Sequence, residues 1–313
     1  MSGELKPEGW LCGSHENTAA FASHATLHEA YTQGKILEAR ATVCDSAHNL
    51  LVDCGCMRGI IPKNECAMGI EDGTTREIAI ISRVNKPVCF KVTGFKADSA
   101  GNPYAILSRR IVQQHCIETY INKLTSGDVI DARVSHLEPF GCFVDIGCGV
   151  ASLIPIDTIS VSRISHPIDR FKPGQDIRAV VKSVDDYGRI SLTHKELWGT
   201  WSENAALFSS GETVAGIVRS VEEYGIFVEL TPNLAGLAEL RAGVRPGQQT
   251  SVYIKNIIKE KMKVKLIIVD SFDAQYTAAA PPYFFKGDHM SHWQYSPEGC
   301  GKSIETVFEA KPL

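Results

Sequence analysis

The sequence LEPFGCFVDI at Leu137–Ile146 returns 84 residues later as VEEYGIFVEL at Val221–Leu230. In both copies an acidic and an aromatic residue precede a glycine, and an apolar residue, Phe-Val, an acidic and an apolar residue follow it. A stretch with the alternation of a strand, beginning at Gly127 or Gly211, comes before each copy, and a Pro-Gly-Gln turn comes after each. Such internal similarity indicates a repeated structural unit.

A third and weaker copy lies upstream. Gly34–Ala41 matches the opening strand, and Val52-Asp53 matches Val144-Asp145. Further on, Gly59–Pro62 resembles Ser152–Pro155. We therefore predict three copies of one unit.

Each unit has about five short strands, with Gly, Pro and Asn at the breaks, and one irregular connection after the third strand. An open sheet of five strands would leave reactive edges unless it closed on itself. Five strands with such a connection are typical of the OB barrel. The sequence predicts a mainly β fold of three tandem five-stranded OB barrels joined by short helical linkers.

The predicted domain boundaries follow from where the periodicity of the apolar residues changes. They are an N-terminal helical segment at 1–33, a degenerate barrel at 34–110, a helical linker at 111–125, a barrel at 126–196, a helical linker at 197–209, a barrel at 210–270 and an aromatic-rich tail at 271–313. Within the first segment, a single helix is predicted from Glu16 to Tyr31. Neither linker is rich in Gly and Ser, so we expect semi-rigid connections. The tail lacks a period, and its aromatic residues either fold back on a barrel or meet a partner.

Composition excludes several classes of protein. Hydrophobic residues make up 44% and charged residues 22% of 313 residues, which is typical of a globular protein and not of a disordered or collagen-like one. No apolar run approaches the ~20 residues that span a bilayer, and no signal pattern opens the chain, so we expect a cytoplasmic protein without a membrane partner. A net charge of −4 excludes coating of nucleic acid by bulk charge but permits a local binding face.

The sequence contains no convincing catalytic, cofactor or metal motif. The ten cysteines are scattered, and Cys54-Gly55-Cys56 lacks the second pair that a zinc site needs. Gly299–Ser303 resembles the end of a phosphate-binding loop, but Ser296 stands where that loop needs glycine. We predict a protein that is not an enzyme and that binds neither cofactor nor metal.

The repeated aromatic residues point to nucleic acid. Phe140 and Phe143 are three positions apart, so a regular strand would send them to opposite faces. A bulge at Gly141 would bring both rings to one face, and the same holds for Tyr224 and Phe227. Two exposed rings form a platform on which bases stack, at ~1–3 kcal/mol per base. The alternative is that one ring of each pair belongs to the core.

These stretches resemble the S1 RNA-binding domain family, whose repeats build the bacterial small-subunit ribosomal protein S1 and also end some exoribonucleases and initiation factors. The motifs that carry the resemblance are the strand Phe140–Asp145, the turn Lys172–Gln175 and the closing strand Tyr187–Thr193. The resemblance is strong over 126–196, good over 210–270 and degenerate over 34–110. The whole arrangement is similar to a short bacterial relative with three repeats. The resemblance implies OB barrels that bind single-stranded RNA on their second and third strands.

The resemblance also implies which residues touch RNA. Stacking is assigned to Phe140, Phe143, Tyr224 and Phe227, and phosphate contact to Lys182, Arg189, Lys255, Lys263 and, more weakly, Arg163, which is alternatively a brace for its barrel. The family often has a histidine at the end of the third strand, and both later units lack it at Leu153–Pro155 and Gly236–Ala238.

The first unit departs furthest, because His48–Leu51 replaces the aromatic run. We expect this unit to bind RNA poorly and either to dock on the 30S ribosomal subunit or another protein, or to serve only as structure. The function predicted for the chain is the binding of single-stranded RNA, chiefly messenger RNA, in translation. The alternatives are a protein-interaction scaffold with little RNA affinity and an accessory RNA-binding subunit of an RNA-degrading complex.

Overall fold

The computed structural model describes residues 5–185, 188–273 and 282–308. Seventeen strands and five α-helices lie in these ranges. Contacts divide the chain into two units. The first unit contains Met1–Leu124, Asp131–Arg133 and Asp145–Ala151, and the second contains Thr125–Ile130, Val134–Val144 and Ser152–Leu313.

The first barrel follows two short helices. These helices are α1 (His15–Ala20) and α2 (His24–Thr32). The strands are β1 (Leu37–Cys44), β2 (Leu50–Asp53), β3 (Arg58–Ile61), β4 (Pro87–Ala97) and β5 (Pro103–Ser108), closed in the order β1-β2-β3-β5-β4. The connection from β3 to β4 holds the short helix α3 (Ile78–Ile81), and α4 (Arg110–Thr119) follows β5.

The second and third barrels repeat this order. The second consists of β6 (Val129–Glu138), β7 (Gly141–Asp145), β8 (Ala151–Pro155), β9 (Asp176–Val184) and β10 (Ile190–Thr193). Helix α5 (Trp201–Ala205) leads to the third, which consists of β11 (Thr213–Glu222), β12 (Gly225–Thr231), β13 (Leu234–Ala238), β14 (Gln249–Ile258) and β15 (Lys263–Phe272). In all three barrels, a parallel pairing of the third and fifth strands closes the sheet. The predicted mainly β fold of three five-stranded barrels is confirmed.

The N-terminal helix predicted from Glu16 to Tyr31 is two helices instead of one. The break lies between Ala20 and His24, because Ser23 starts α2 with a capping box. The Ser23 hydroxyl accepts a hydrogen bond from the backbone N–H of Thr26, and the Thr26 hydroxyl accepts one from the N–H of Ser23. Such reciprocal bonds satisfy the first free donors of a new helix.

A buried ion pair anchors the N-terminal residues of the first unit. The guanidinium of Arg109 donates to the carboxylate of Glu8 at 2.6 and 3.0 Å, and both side chains are only 4% exposed. Burial alone would raise the pKa of Glu8, but the charge and hydrogen bonds of Arg109, the charge of Arg83 and the backbone N–H of Cys89 together outweigh burial and hold the pKa below its usual value. The backbone N–H of Glu8 also donates to Asp145 at 2.7 Å. Burial, together with the nearby Glu8 carboxylate, raises the pKa of Asp145 to about 7.

Within its described residues, the tail folds back on the third barrel, which is the first of the two alternatives left by the sequence. Its two strands, β16 (His292–Gln294) and β17 (Glu305–Val307), form a small antiparallel sheet. Trp293, Tyr295 and Phe308 are each 5% exposed and belong to the same hydrophobic core as the third barrel. The Tyr295 hydroxyl donates to the backbone carbonyl of Asn233 at 2.6 Å.

Among the described residues, no helix is both long and apolar enough to span a bilayer. The same part of the chain contains no group of three or more His, Cys, Asp or Glu side chains placed to hold a metal ion.

Candidate nucleic-acid interface

Two aromatic side chains meet at the start of β12 in the third barrel. Glu222 pairs with Gly225, so a turn of two residues joins β11 to β12, and Tyr224 is the second of them. Its side chain is 70% exposed, whereas Phe227 on β12 is half-buried. Their ring centroids lie 6.0 Å apart with the planes at 87°, which is an edge-to-face contact. We call Tyr224 and Phe227 the third-barrel ring pair.

The second barrel has the same arrangement. Phe140 lies in the turn between β6 and β7 and is 55% exposed, and Phe143 is half-buried on β7. The ring centroids are again 6.0 Å apart, with the planes at 88°. We call Phe140 and Phe143 the second-barrel ring pair. In both barrels an exposed ring therefore stands beside a half-buried one on the outer surface.

The exposed ring of each pair lies in a turn, and in the third barrel the predicted bulge at the glycine is wrong. Gly141 and Gly225 are the first residues of β7 and β12, and the register shift in β11 lies earlier, between Val218 and Ser220. Glycine is required because another strand passes close to it. A Cβ atom would lie 2.6 Å from the carbonyl oxygen of Ile154 at Gly141, and 2.7 Å from that of Ala238 at Gly225.

Lysines border the ring pair in the third barrel. Phe227 lies opposite Leu237, and Leu237 lies opposite Lys265 on β15, so the three side chains share one face. Lys263, two residues earlier, faces the same way, and Lys255 is exposed at a bulge of β14. We call Lys255, Lys263 and Lys265 the third-barrel lysines. Lys265 was missed in the sequence, although its alternation with Lys263 is the signal that would have found it.

Less positive charge lies beside the second-barrel ring pair than beside the third-barrel ring pair. Ser191 lies opposite Leu153 and takes the place that Lys265 has in the third barrel. The Arg189 guanidinium donates to the Asp185 carboxylate at 2.8 Å, which offsets its charge, although the side chain is 76% exposed. Lys182 is exposed on β9. Tyr187, from the closing motif, lies outside the described residues.

Arg163 lies where the second barrel meets the third. It is exposed in the connection between β8 and β9. Just before it, the backbone N–H of Val161 donates to the side-chain oxygen of Asn233 at 3.0 Å, and the N–H of Ser162 donates to the carbonyl of Pro232 at 3.0 Å. Arg163 is thus held beside the third barrel. In the sequence it lies between the two ring pairs and belongs to neither.

A buried polar network joins these two barrels. Asn233 is fully buried, and its side-chain amide donates to the carbonyls of Lys195 and Gly199 at 2.7 and 2.8 Å. The Glu229 carboxylate accepts hydrogen bonds from Arg170 and, at 2.7 Å, from Arg219. Buried polar groups with all these partners fix one arrangement of the chain.

A further ring covers part of the second-barrel pair. The imidazole of His136 lies 4.8 Å from the Phe143 ring, measured between centroids, and only 9° from parallel. No pattern in the sequence indicates this contact, because it depends on how β6 and β7 align.

The first barrel has no ring pair at the corresponding turn, all of whose residues are described. His48 adopts a φ of 61° there, and its Nδ1 lies 3.4 Å from the Glu77 carboxylate. Leu50 is fully buried, and Leu51 is half-buried.

Comparisons with known proteins cover much of the chain. The family model of the S1 RNA binding domain matches residues 123–195, which include the second barrel. Small ribosomal subunit protein bS1 of Staphylococcus aureus (strain COL) is 31% identical over 264 residues, and that of Staphylococcus haemolyticus (strain JCSC1435) is 30% identical over the same length. Each alignment covers 79% of this chain and 64% of the relative, so the chain spans less than two thirds of their length.

Solved structures also match. A multidomain protein with nucleic acid binding domains from Streptococcus pneumoniae is 15% identical, with a TM-score of 0.25, over 77% of this chain and 75% of that one. GSP13 from Bacillus subtilis is 25% identical, with a TM-score of 0.22, over 23% of this chain and 55% of that one.

Proposed function

The chain belongs to the S1 RNA-binding domain family, and we propose that it is a non-enzymatic protein that binds single-stranded RNA through its second and third barrels. Its matched relatives are named as proteins of the small ribosomal subunit. We therefore propose messenger RNA as the RNA, translation as the process and the cytoplasm as the place.

The observation that carries this proposal is the repeated ring pair. Two barrels place an exposed ring 6.0 Å from a half-buried one in the same edge-to-face geometry. Every nucleobase has a flat π face, so such rings bind unpaired bases with little regard to sequence. The third-barrel lysines supply the phosphate contacts that stacking alone lacks.

The geometry favours single strands over duplex RNA. Bases stacked inside a helix do not present their faces to a protein ring, whereas the bases of a single strand do. Because the network around Asn233 links the two barrels, a strand bound to one of them raises the local concentration of RNA at the other.

We test this with the full chain and a labelled single-stranded RNA of about twenty nucleotides, which is long enough for two OB barrels. The logarithm of affinity should fall with that of salt concentration, with a slope of about −0.7 for each phosphate contact. An unlabelled duplex of the same sequence should compete poorly. Absence of binding at low salt would favour the protein-interaction scaffold.

For the first barrel we propose docking on the small ribosomal subunit. Helix α3 carries Ile78 and Ile81, which are 63% and 44% exposed, in a barrel without the ring pair. Exposed apolar side chains that lie close together are a common mark of protein contact surfaces.

Co-sedimentation with small subunits tests this role. The double variant Ile78→Ser/Ile81→Ser should remain in the supernatant, and the matched variant Val43→Ser, also exposed at 46% in the first barrel, should pellet like the wild type. Pelleting of the double variant to the wild-type level would argue against docking through α3.

A further inference from the structure

The second-barrel ring pair has a third member. His136 on β6 lies against Phe143 on β7, with 4.8 Å between centroids and 9° between planes. The side chain of His136 is 53% exposed. Its Nε2 lies 3.0 Å from the carboxylate of Glu138, and since an ionised carboxylate only accepts hydrogen bonds, Nε2 is the donor. Glu138 therefore fixes the plane of the imidazole.

This contact changes which surface a base can reach. The imidazole occupies the face of Phe143 that it covers, so no base stacks there while His136 keeps its position. In the third barrel the residue opposite Phe227 is Ser220, which has no ring. The two ring pairs thus share their geometry but differ in what stands in front of the half-buried ring.

We propose that His136 is a further base-stacking residue of the second barrel, and that an unpaired RNA base stacks on its exposed face. The proposal rests on the proposed binding of single-stranded RNA and deepens it. Histidine is among the side chains on which single-stranded RNA bases stack. A ring held parallel to Phe143 by Glu138 loses little freedom when a base arrives, which favours binding.

The first test measures the affinity of the full chain for the labelled single-stranded RNA. His136→Ala should bind about fivefold to tenfold more weakly, at the low end of what one stacked base contributes. His136→Phe keeps a flat ring and should bind within about twofold of the wild type on the same reasoning. The matched control is His292→Ala, because His292 is also exposed and lies 2.9 Å from a Glu305 carboxylate, but on β16. This control should leave the affinity unchanged.

The second test separates stacking from a structural role. In the chain labelled with ¹³C-histidine, the ring protons of His136, identified by their loss in His136→Ala, should shift upfield when RNA is added. A base stacked on the imidazole causes this shift through its ring current.

Equal or tighter RNA binding by His136→Ala would overturn the proposal, as would unshifted His136 protons at saturating RNA. These outcomes leave the proposed function standing, since the wild-type chain still binds RNA in them. Failure of the wild-type chain to bind RNA would overturn the proposed function itself.

Discussion

Truncation of the two exposed rings tests the stacking surface most directly. The double variant Phe140→Ala/Tyr224→Ala removes one ring from each pair, and these rings are 55% and 70% exposed. The folding cost is small, because each ring gives up mainly its edge-to-face contact, about 0.5–1.5 kcal/mol. Thermal unfolding should therefore remain cooperative, with a modest fall in melting temperature.

The loss of RNA affinity should be much larger than the loss of stability. Each ring offers one stacking surface, worth about 1–3 kcal/mol, so both together contribute about 2–6 kcal/mol when one strand engages both barrels. At 1.4 kcal/mol for each factor of ten, the double variant should bind at least about thirtyfold more weakly. Stacking involves no counterion release, so the salt slope should match that of the wild type.

The assay is a fluorescence titration of single-stranded RNA across a salt series, with Phe272→Ala as the matched control. Phe272 is an aromatic residue of the third barrel, as is Tyr224. It is 45% exposed and lies at the far end of β15. It lies about 23 Å along the strand from Lys265. Phe272→Ala should bind normally. An affinity of the double variant within about twofold of this control would refute the stacking surface.

Three further predictions concern charge, pH and backbone. Replacement of the third-barrel lysines by Ala should reduce the magnitude of the salt slope by about 2, in titrations against salt, and a slope equal to that of the wild type would exclude phosphate contacts there. Burial, with a smaller effect from the charge of Arg170, lowers the pKa of His194 from 6.5 to about 3. As the pH falls below 6.5, His194 therefore takes up a proton in the unfolded chain but stays neutral in the folded chain. Stability is therefore complete above pH 6.5 and falls as the pH drops from there toward 3, by about 2 kcal/mol at pH 5 in denaturant unfolding, and His194→Gln should flatten this dependence. Gly225→Ala should destabilise the third barrel by about 1–3 kcal/mol in thermal unfolding, because its φ is +151° and a Cβ meets a carbonyl at 2.7 Å. Gly94→Ala, where nothing lies within 4 Å, is the control and should melt like the wild type.

The sequence was sufficient for the barrels and insufficient for the details of the site. Three copies of one strand pattern set the number of barrels, because each copy buries alternate residues in a closed sheet. The same repetition identified the ring pairs. It did not locate Phe140 in a turn, because a bulge and a tight turn both favour glycine at the next position, and only the folded strands, with β6 ending at Glu138 and β7 beginning at Gly141, place it there.

Contacts between individual side chains were also beyond the sequence. The stacking of His136 on Phe143 depends on how β6 and β7 align, and the pairing of Arg189 with Asp185 depends on how the ends of β9 and β10 align. The tail gave no period at all. Its place was decided by the burial of Trp293 and Tyr295, since aromatic residues without a pattern pack wherever apolar surface is available.

The two later barrels are related in shape but not in charge, and the reason is physical. The ring geometry depends on a turn and on a glycine that another strand approaches closely, so a change at either position disturbs the fold as well as the rings. The outward positions beyond the rings carry no such constraint, and there Ser191 corresponds to Lys265. We therefore expect bases to stack on both barrels and phosphate contact to be concentrated in the third. A strand that spans both should owe most of its salt dependence to the third barrel and a salt-independent part of its affinity to each.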